Sequence, residues 1–251
     1  MTTNRTVLPE ESLDPEDWEA MRALGHRMVD DMLDHLIELR ERPAWQHAPQ
    51  DVKSHFEDPA PLEPQPAEAV YEEYMQYVFP YPLGNSHPRF WGWIAGTGTV
   101  MGAFAELLAT MTNTPSGAFA YISPNYVEQQ VVYWCKQMLG YPFSASGILT
   151  SGCSASNLIG LAVARNTKAG YDLRRSGLNK APQLMRLYTS TESHSSVQKA
   201  VELLGLGTEA LRLVPVNDDL QIDLQSLKAM IENDRDKGYH PFCIVGVAGT
   251  T

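Results

Sequence analysis

One stretch of the sequence combines small residues, hydroxyl groups and a helix start in the order that holds an anion. From Gly147 to Asn157 it reads GILTSGCSASN, and a helical pattern follows directly. The first N–H groups of a helix have no partner within the helix, and the helix dipole places partial positive charge there. We therefore predict an anion site at this loop, to which Ser154 adds a hydroxyl. The alternative is a plain strand-to-helix turn capped by Ser154.

The glycine spacing of this loop matches neither the GxxxxGK[ST] nor the GxGxxG pattern, so the common nucleotide-binding loops are not indicated. A nucleophilic role is not indicated either, because Ser154 lacks the GxSxG context and no base is fixed beside it. Cys153 stands near the helix start, which by itself does not make it a nucleophile.

A second candidate is His194, in the stretch TSTESHSSV from Thr189 to Val197. It follows a predicted strand and precedes a predicted helix, among hydroxyl side chains. The alternative is a surface or capping histidine. Its place after a strand favours a site, because the loops that follow parallel strands share one edge of the sheet.

The elements that position these residues alternate between strand and helix from Gly147 onward. Strands are predicted near 147–150, 185–190, 211–216 and 242–248, and helices near 154–168, 194–204 and 223–237. This alternation predicts an α/β fold with a mainly parallel sheet. Loops 150–156, 190–195 and 249–251 should then face one site.

The first half of the chain predicts helices at 15–42, 67–79, 100–112 and 123–139, with a proline-rich extended connector at 43–66. The first helix carries a methionine-rich apolar stripe, which requires either the core of its own chain or a partner subunit to cover it. Residues 85–99 are rich in aromatics and glycine, and they predict either a pocket wall or a buried loop.

Composition narrows the classes of partner. The chain has 251 residues and a net charge of −11, which disfavours nucleic acid and anionic membrane surfaces as partners. Its 3 cysteines are widely spaced, which favours a reducing compartment, and no Cys/His cluster has zinc-ligand spacing. With no apolar run long enough for a signal core or a membrane span, we expect a cytoplasmic protein without a metal.

Four stretches together resemble one family. They are NSHPRF from Asn85, the loop from Gly147 to Asn157, SHSSV from Ser193, and GTT from Gly249. In order and spacing they are similar to the group II pyridoxal-phosphate (PLP) decarboxylases, the aromatic-L-amino-acid decarboxylase family. The resemblance implies that the chain contains part of the large domain of a fold-type-I PLP enzyme, with a mainly parallel sheet, and that an all-helical segment precedes this domain. It also implies that two copies form an intertwined homodimer. Residues 1–84 would form the dimerisation segment with its connector, and residues 85–251 the first part of the PLP-binding domain.

The resemblance also implies roles for individual residues. Cys153 and Ser154 would bind the cofactor phosphate, and His194 would stack on the pyridine ring as a catalytic residue. Thr251 would contact the cofactor near its far edge, and Trp93 and Gly96 would meet the substrate side chain. Many relatives carry Gly-Gly where this chain has Gly152-Cys153. That change is harmless if only the backbone N–H binds the phosphate, and lowers affinity if the side chain crowds it.

The reaction that the resemblance implies is decarboxylation of an L-amino acid, expected to be aromatic, to its amine and carbon dioxide. The family's cofactor-binding lysine and the aspartate that pairs with the pyridine nitrogen are expected beyond Thr251, so the 251-residue chain alone is expected to be inactive. Two alternatives stay open. One is another fold-type-I PLP enzyme, aldehyde-forming or glutamate-type, and the other is a non-catalytic dimerising fragment.

Overall fold

The computed structural model describes residues 14–114 and 121–249. The chain divides into two compact units, Met1–Asn113 and Thr114–Thr251, and each is described by itself. The sequence-based division after residue 84 concerns the domains of the complete protein and stays a prediction.

The first unit is helical in its described residues. Its helices are α1 (Trp18–Glu38, followed by a 3-10 turn at Leu39–Glu41), α2 (Gln50–His55), α3 (Ala67–Glu73, continued by a π-helical turn at Tyr74–Val78) and α4 (Val100–Thr112). Asp17 begins α1, because its carboxylate accepts the N–H groups of Glu19 and Ala20 at 2.9 and 3.0 Å. The helices predicted at 15–42, 67–79 and 100–112 are confirmed, and the π geometry of Tyr74–Val78 is the feature of the second one that was not predicted.

Polar contacts hold α1 against α3. Arg27 forms ion pairs with Glu68 and Glu72, and its guanidinium lies 4.9 Å from the centre of the Tyr71 ring. The buried Tyr71 donates its hydroxyl to Asp31 at 2.7 Å. The apolar stripe of α1 is only partly covered: of the α1 residues, all of which the structure describes, Leu24 alone is buried.

The prediction of an extended connector at 43–66 is wrong in its middle. The six-residue helix α2 lies there, with Pro49 as its N-cap and Val52 buried. A proline is compatible with a helix start, since the first N–H groups of a helix lack intrahelical partners anyway. The prolines therefore bound this helix without preventing it.

The second unit alternates helix and strand. Its helices are α5 (Ser123–Met138), α6 (Cys153–Lys168), α7 (Leu173–Ser176), α8 (Ser196–Leu203) and α9 (Leu224–Asp236), and its strands are β1 (Met185–Ser190), β2 (Leu211–Val214) and β3 (His240–Ile244). The strands form a parallel sheet in the order β2-β1-β3. The predicted parallel α/β arrangement is confirmed.

The central strand β1 is buried along its whole length and separates two apolar clusters. Leu187 packs with α6 and α8, in a cluster that includes Leu161 and Val201. Tyr188 points to the other face and packs with Val214 and Leu227. Successive residues of a strand face opposite sides, so one strand supports both layers.

A buried carboxylate joins α9 to the sheet. Asp234 is fully buried and accepts hydrogen bonds from the Tyr188 hydroxyl at 2.8 Å and from Arg212 Nε and Nη2 at 3.0 and 2.6 Å. Burial raises the pKa of Asp234, but the hydrogen bonds from Arg212 and Tyr188 and the charges of Arg212 and Arg186 outweigh it, so the net pKa lies below the ordinary value. Burial, followed by the hydrogen bond to Asp234, raises the pKa of Tyr188.

The predicted strand at 147–150 is wrong, because this segment is not paired into the sheet among the described residues. It lies along α5 instead. The Leu149 N–H donates to Glu128 Oε1 at 2.9 Å, and a Cβ at Gly147 would stand 3.1 Å from Val132 Cγ1. A backbone donor used by a side chain cannot serve a strand ladder at the same time. Within the described residues, no helix is both long and apolar enough to cross a bilayer.

Candidate cofactor-binding site

The anion site predicted at the start of α6 has an open helix terminus. Gly152 is the N-cap, and no side chain of the described chain caps the helix. The interpretation of Ser154 as the cap is therefore wrong: Ser154 lies in the first turn, and both it and Cys153 are exposed. The first N–H groups of α6 remain available to a ligand, with the positive end of the helix dipole behind them.

The loop before α6 is held by hydroxyl groups. Thr150 Oγ1 lies 2.5 Å from Ser156 Oγ and 3.1 Å from the carbonyl oxygen of Gly152, and the Ser156 N–H donates to the same carbonyl at 3.1 Å. A Cβ added at Gly152 would meet no atom within 4 Å. The loop is thus fixed by its own side chains while the space beside it stays open.

His194 lies between the end of β1 and the start of α8, as the sequence predicts, and its side chain is exposed. Its ring is tied to the first turn of α8. Nδ1 lies 2.8 Å from Ser196 Oγ, and it accepts the Ser196 N–H at 3.2 Å. One edge of the imidazole is therefore anchored, while the side chain stays exposed to solvent.

Asn157 joins the two helix starts. Its Nδ2 donates to Ser196 Oγ at 2.9 Å and to Cys153 Sγ at 3.7 Å. Cys153 and Asn157 are four residues apart in α6, so they share one face of the helix. Asn157 and Ser196 stand within the sequence motifs, but the motifs predict no role for either residue. The four-residue spacing from Cys153 to Asn157 is the sequence signal that places Asn157 on the same helix face as the candidate anion loop.

The residues of this edge fit a phosphorylated aromatic cofactor such as PLP. The uncapped helix start and the exposed Ser154 hydroxyl supply donors for a phosphate, and the exposed His194 ring supplies a flat face for a pyridine. Among the described residues, no group of three or more His, Cys, Asp and Glu side chains could hold a metal. Thr251 lies outside the described residues, so its contact with the cofactor stays a prediction.

Trp93 and Gly96 belong to the first unit. Trp93 is 80% exposed, has a positive φ of 56°, and lies 6.2 Å from Phe90 between ring centres. The carbonyl of Gly96 accepts the side-chain amide of Asn85 at 2.6 Å. The aromatic segment is thus an exposed loop closed onto Asn85, and the alternative of a buried loop is wrong at Trp93.

The HPR part of the motif beginning at Asn85, residues 87–89, stabilises a turn in the first unit. His87 is 3% exposed, and its Nδ1 accepts the Arg89 N–H at 3.0 Å while its own N–H donates to the Gly84 carbonyl at 2.9 Å. Gly84 has a φ of +83°, and a Cβ there would stand 1.9 Å from the Ala44 oxygen. This close approach requires glycine, and it fixes the turn from which the aromatic segment extends.

The parallel sheet and the uncapped start of α6, linked through Asn157 to the start of α8, define an α/β protein with a candidate anion site. Residues 49–251 match the family described as the pyridoxal-dependent decarboxylase conserved domain. The chain belongs to this family, as its sequence motifs predict.

Known relatives agree with this assignment. The chain is 30% identical over 235 residues to an aromatic-L-amino-acid decarboxylase of Bacillus atrophaeus, covering 93% of this chain and 47% of the relative. It is 27% identical over 250 residues to a phenylacetaldehyde synthase of Petunia hybrida, covering 95% and 48%.

Among solved structures, the glutamate decarboxylase domain of a diaminobutyrate-pyruvate transaminase and L-2,4-diaminobutyrate decarboxylase from Vibrio parahaemolyticus superposes with a TM-score of 0.83 at 26% identity. That match covers 95% of this chain and 53% of the solved one. The chain spans about half the length of the curated relatives it matches.

Proposed function

We propose that the complete protein is a PLP-dependent decarboxylase that converts an L-amino acid, aromatic in side chain, to the amine and carbon dioxide. The observation that carries the proposal is the hydrogen-bonded link between the open start of α6 and the exposed His194 ring. Family membership supports the cofactor and the reaction class. The aromatic-L-amino-acid decarboxylase among the relatives supports the substrate class.

In this proposal each residue at the sheet edge has one task. The N–H groups of Cys153 and Ser154, with the Ser154 hydroxyl, bind the phosphate, and His194 fixes the plane of the pyridine by stacking on it. Thr251 contacts the cofactor from the third loop. When bound, PLP accepts the electrons that the departing carboxylate leaves behind.

Substrate recognition is assigned to the exposed aromatic loop of the first unit. Trp93 gives an apolar surface to a flat side chain, and Gly96 leaves room beside it. The positive φ of Trp93 supports this role, because a non-glycine residue seldom keeps a left-handed backbone without a local reason.

A homodimer is the assembly that fits the first unit. Large apolar side chains of α1 and α4 are exposed, including Trp18 at 63% and Met111 at 77%. A second copy of the chain would cover them, as the resemblance to the family implies. The cytoplasmic location expected from the cysteine pattern is a further proposal, which fractionation of cells expressing the protein would test.

The decisive experiment replaces His194 in the complete protein. His194→Ala should weaken PLP binding about fivefold or more, because a stacked aromatic pair contributes about 1 kcal/mol beyond its buried area. Turnover of aromatic amino acids should fall as well. PLP titration followed by absorbance, together with amine release, measures both. Gln198→Ala, a change at an exposed position of the following helix α8, is the control. Unchanged cofactor affinity and kinetics in His194→Ala would rule out this role.

The match to a phenylacetaldehyde synthase favours one second candidate, an aldehyde-forming reaction on the same site. Product analysis separates the two. Amine and carbon dioxide alone support decarboxylation, whereas aldehyde with ammonia and hydrogen peroxide supports the alternative. A non-catalytic role for the 251-residue chain is tested by borohydride reduction with PLP, which should trap no specific lysine adduct in this chain.

A further inference from the structure

Four side chains form a continuous line of hydrogen bonds from the α6 loop to His194. Asn157 Nδ2 donates to Cys153 Sγ at 3.7 Å and to Ser196 Oγ at 2.9 Å, and Ser196 Oγ lies 2.8 Å from His194 Nδ1. Asn157 and Ser196 are 39 positions apart in sequence, so this line joins two separate helices.

The donors and acceptors along this line leave one consistent arrangement. The Ser196 N–H can only donate, and its 3.2 Å bond to His194 Nδ1 favours a ring in which Nδ1 carries no proton. This bond is longer than the 2.8 Å contact from the Ser196 hydroxyl, so the tautomer depends on both groups. The Ser196 oxygen accepts from Asn157, which leaves its own hydrogen to point at Nδ1. The ring proton of neutral His194 therefore lies on Nε2, at the edge of the ring that faces away from α8.

The surroundings hold this arrangement in place. Ser196 is 2% exposed, and the next residue, Val197, belongs to the apolar cluster that packs α6 against α8. The Ser196 hydroxyl therefore has few other partners, since buried hydroxyl groups depend on the protein for their hydrogen bonds. Asn157 is likewise fixed, because its amide group serves both helices.

We propose that Asn157 and Ser196 are positioning residues that fix the tautomer and plane of His194 and couple them to the phosphate-binding start of α6. The phosphate-binding role of the α6 start rests on the proposed function; the His194 tautomer and its cause do not. Neither Asn157 nor Ser196 needs to touch the cofactor. A shift of the α6 start on binding an anion would be transmitted to the His194 ring through their side chains.

The first test reads the tautomer without any cofactor. The complete protein is labelled with 15N-histidine, and the imidazole nitrogen shifts of His194 are measured in the PLP-free state, with His194→Gln identifying the signal. Wild-type protein should show the Nε2–H form. Ser196→Ala keeps the backbone N–H but removes the hydroxyl that lies 2.8 Å from Nδ1, and Asn157→Ala removes the donor that orients this hydroxyl. Both should therefore lower the population of that form without abolishing it, whereas Asn166→Ala, an uncharged control in α6, should not. Ser196→Thr keeps a hydroxyl and should restore it.

The second test measures coupling by PLP titration of the same proteins. Each single alanine variant should bind PLP roughly three- to tenfold more weakly, the usual effect of losing one hydrogen bond. Because both residues act through one line, the double variant should lose no more than the larger single loss. The absorbance and circular dichroism of bound PLP should change most in the variants that lose most PLP affinity.

The outcomes separate this proposal from the proposed function. A wild-type Nδ1–H tautomer, unchanged tautomer populations in both alanine variants, or fully additive losses of PLP affinity would overturn the positioning role. Wild-type protein that fails to bind PLP would contradict the proposed function, while the tautomer measurement would still decide the role of Asn157 and Ser196. Hydrogen exchange of the α8 amides shows whether each variant retains its fold.

Discussion

The two compact units of the chain differ in how completely they bury their apolar residues. In the second unit, a fully buried strand has an apolar cluster on each face. In the described part of the first unit, the buried apolar residues are Leu24, Val52 and Tyr71. The second unit therefore contains its own core around β1. The helices of the first unit, and α5 of the second, in which no residue is buried, present apolar surface to be covered by something else.

The two units also differ in how deeply their ion pairs are buried. The second unit buries Asp234 completely and satisfies it with Arg212 and Tyr188. The first unit keeps its ion pairs partly in solvent, as in Arg27 with Glu68, whose side chains are 41% and 53% exposed. Buried pairs depend strongly on both partners, while exposed pairs contribute little. Substitutions should consequently have much larger effects in the second unit than in the first.

The largest effect is expected for Asp234→Asn. The change removes the negative charge and leaves the Arg212 guanidinium without its counter-ion, which for a buried pair destabilises a protein by roughly 3–5 kcal/mol. Native-state hydrogen exchange of the β1 amides measures the loss locally, without assuming that both units unfold together.

Asp236→Asn is the matched control, because it makes the same change at an exposed position of α9. It should alter the protection of β1 by no more than about 0.5 kcal/mol. Equal effects of the two variants would mean that the buried network does not stabilise the sheet.

A smaller effect follows from pH. The pKa of Asp234 is lower in the folded protein than the value of about 3.9 in an unfolded chain. Its contribution is therefore complete above the unfolded pKa and is lost as the pH falls through the folded pKa. We expect the β1 amides to lose protection as the pH is lowered below about 4.

Asp234→Asn should lack this acid-dependent step, and that comparison isolates it from other carboxylates. One of these is Asp223, whose pKa is lowered by hydrogen bonds from the Ser226 hydroxyl and from the Ser226 and Gln225 N–H groups at the start of α9. If the protection of the β1 amides falls identically with pH in the wild type and in Asp234→Asn, the step belongs to such other carboxylates.

Residues close in sequence were predicted well, and contacts between distant segments were not. The predicted strand at 185–190 and the helix near 223–237 agree with the structure, because apolar periodicity and an N-cap aspartate mark them locally. The segment 147–150 has the composition of a strand, but strand formation requires a neighbouring ladder, and Leu149 contacts Glu128 instead.

The candidate site divides in the same way. The sequence placed Ser154 at the start of α6 and His194 between β1 and α8, but the strand it predicted before Ser154 is not in the sheet. It did not identify Asn157 and Ser196 as the link, because their contact joins helices 39 positions apart and depends on how α6 packs against α8. Packing of this kind is determined by side-chain fit in three dimensions, which periodicity does not describe.

The smallest effect on folding is expected in the apolar groove between α1 and α3. This groove has a volume of about 630 Å³, and Met28 and Val70 at its wall are 39% and 49% exposed. Met28→Gln should change the free energy of unfolding by no more than about 0.5 kcal/mol, since glutamine has a similar helix propensity and the site is partly in water. If a second copy covers the groove, the same change should weaken dimerisation, because it places a polar group in an apolar interface.

Sedimentation over a range of protein concentrations measures dimerisation, with Asp30→Asn, a change at an exposed position of α1, as the control. Unchanged dimerisation would show that the partner covers another surface of the first unit, and a large loss of folding stability would show that Met28 belongs to a core of its own subunit.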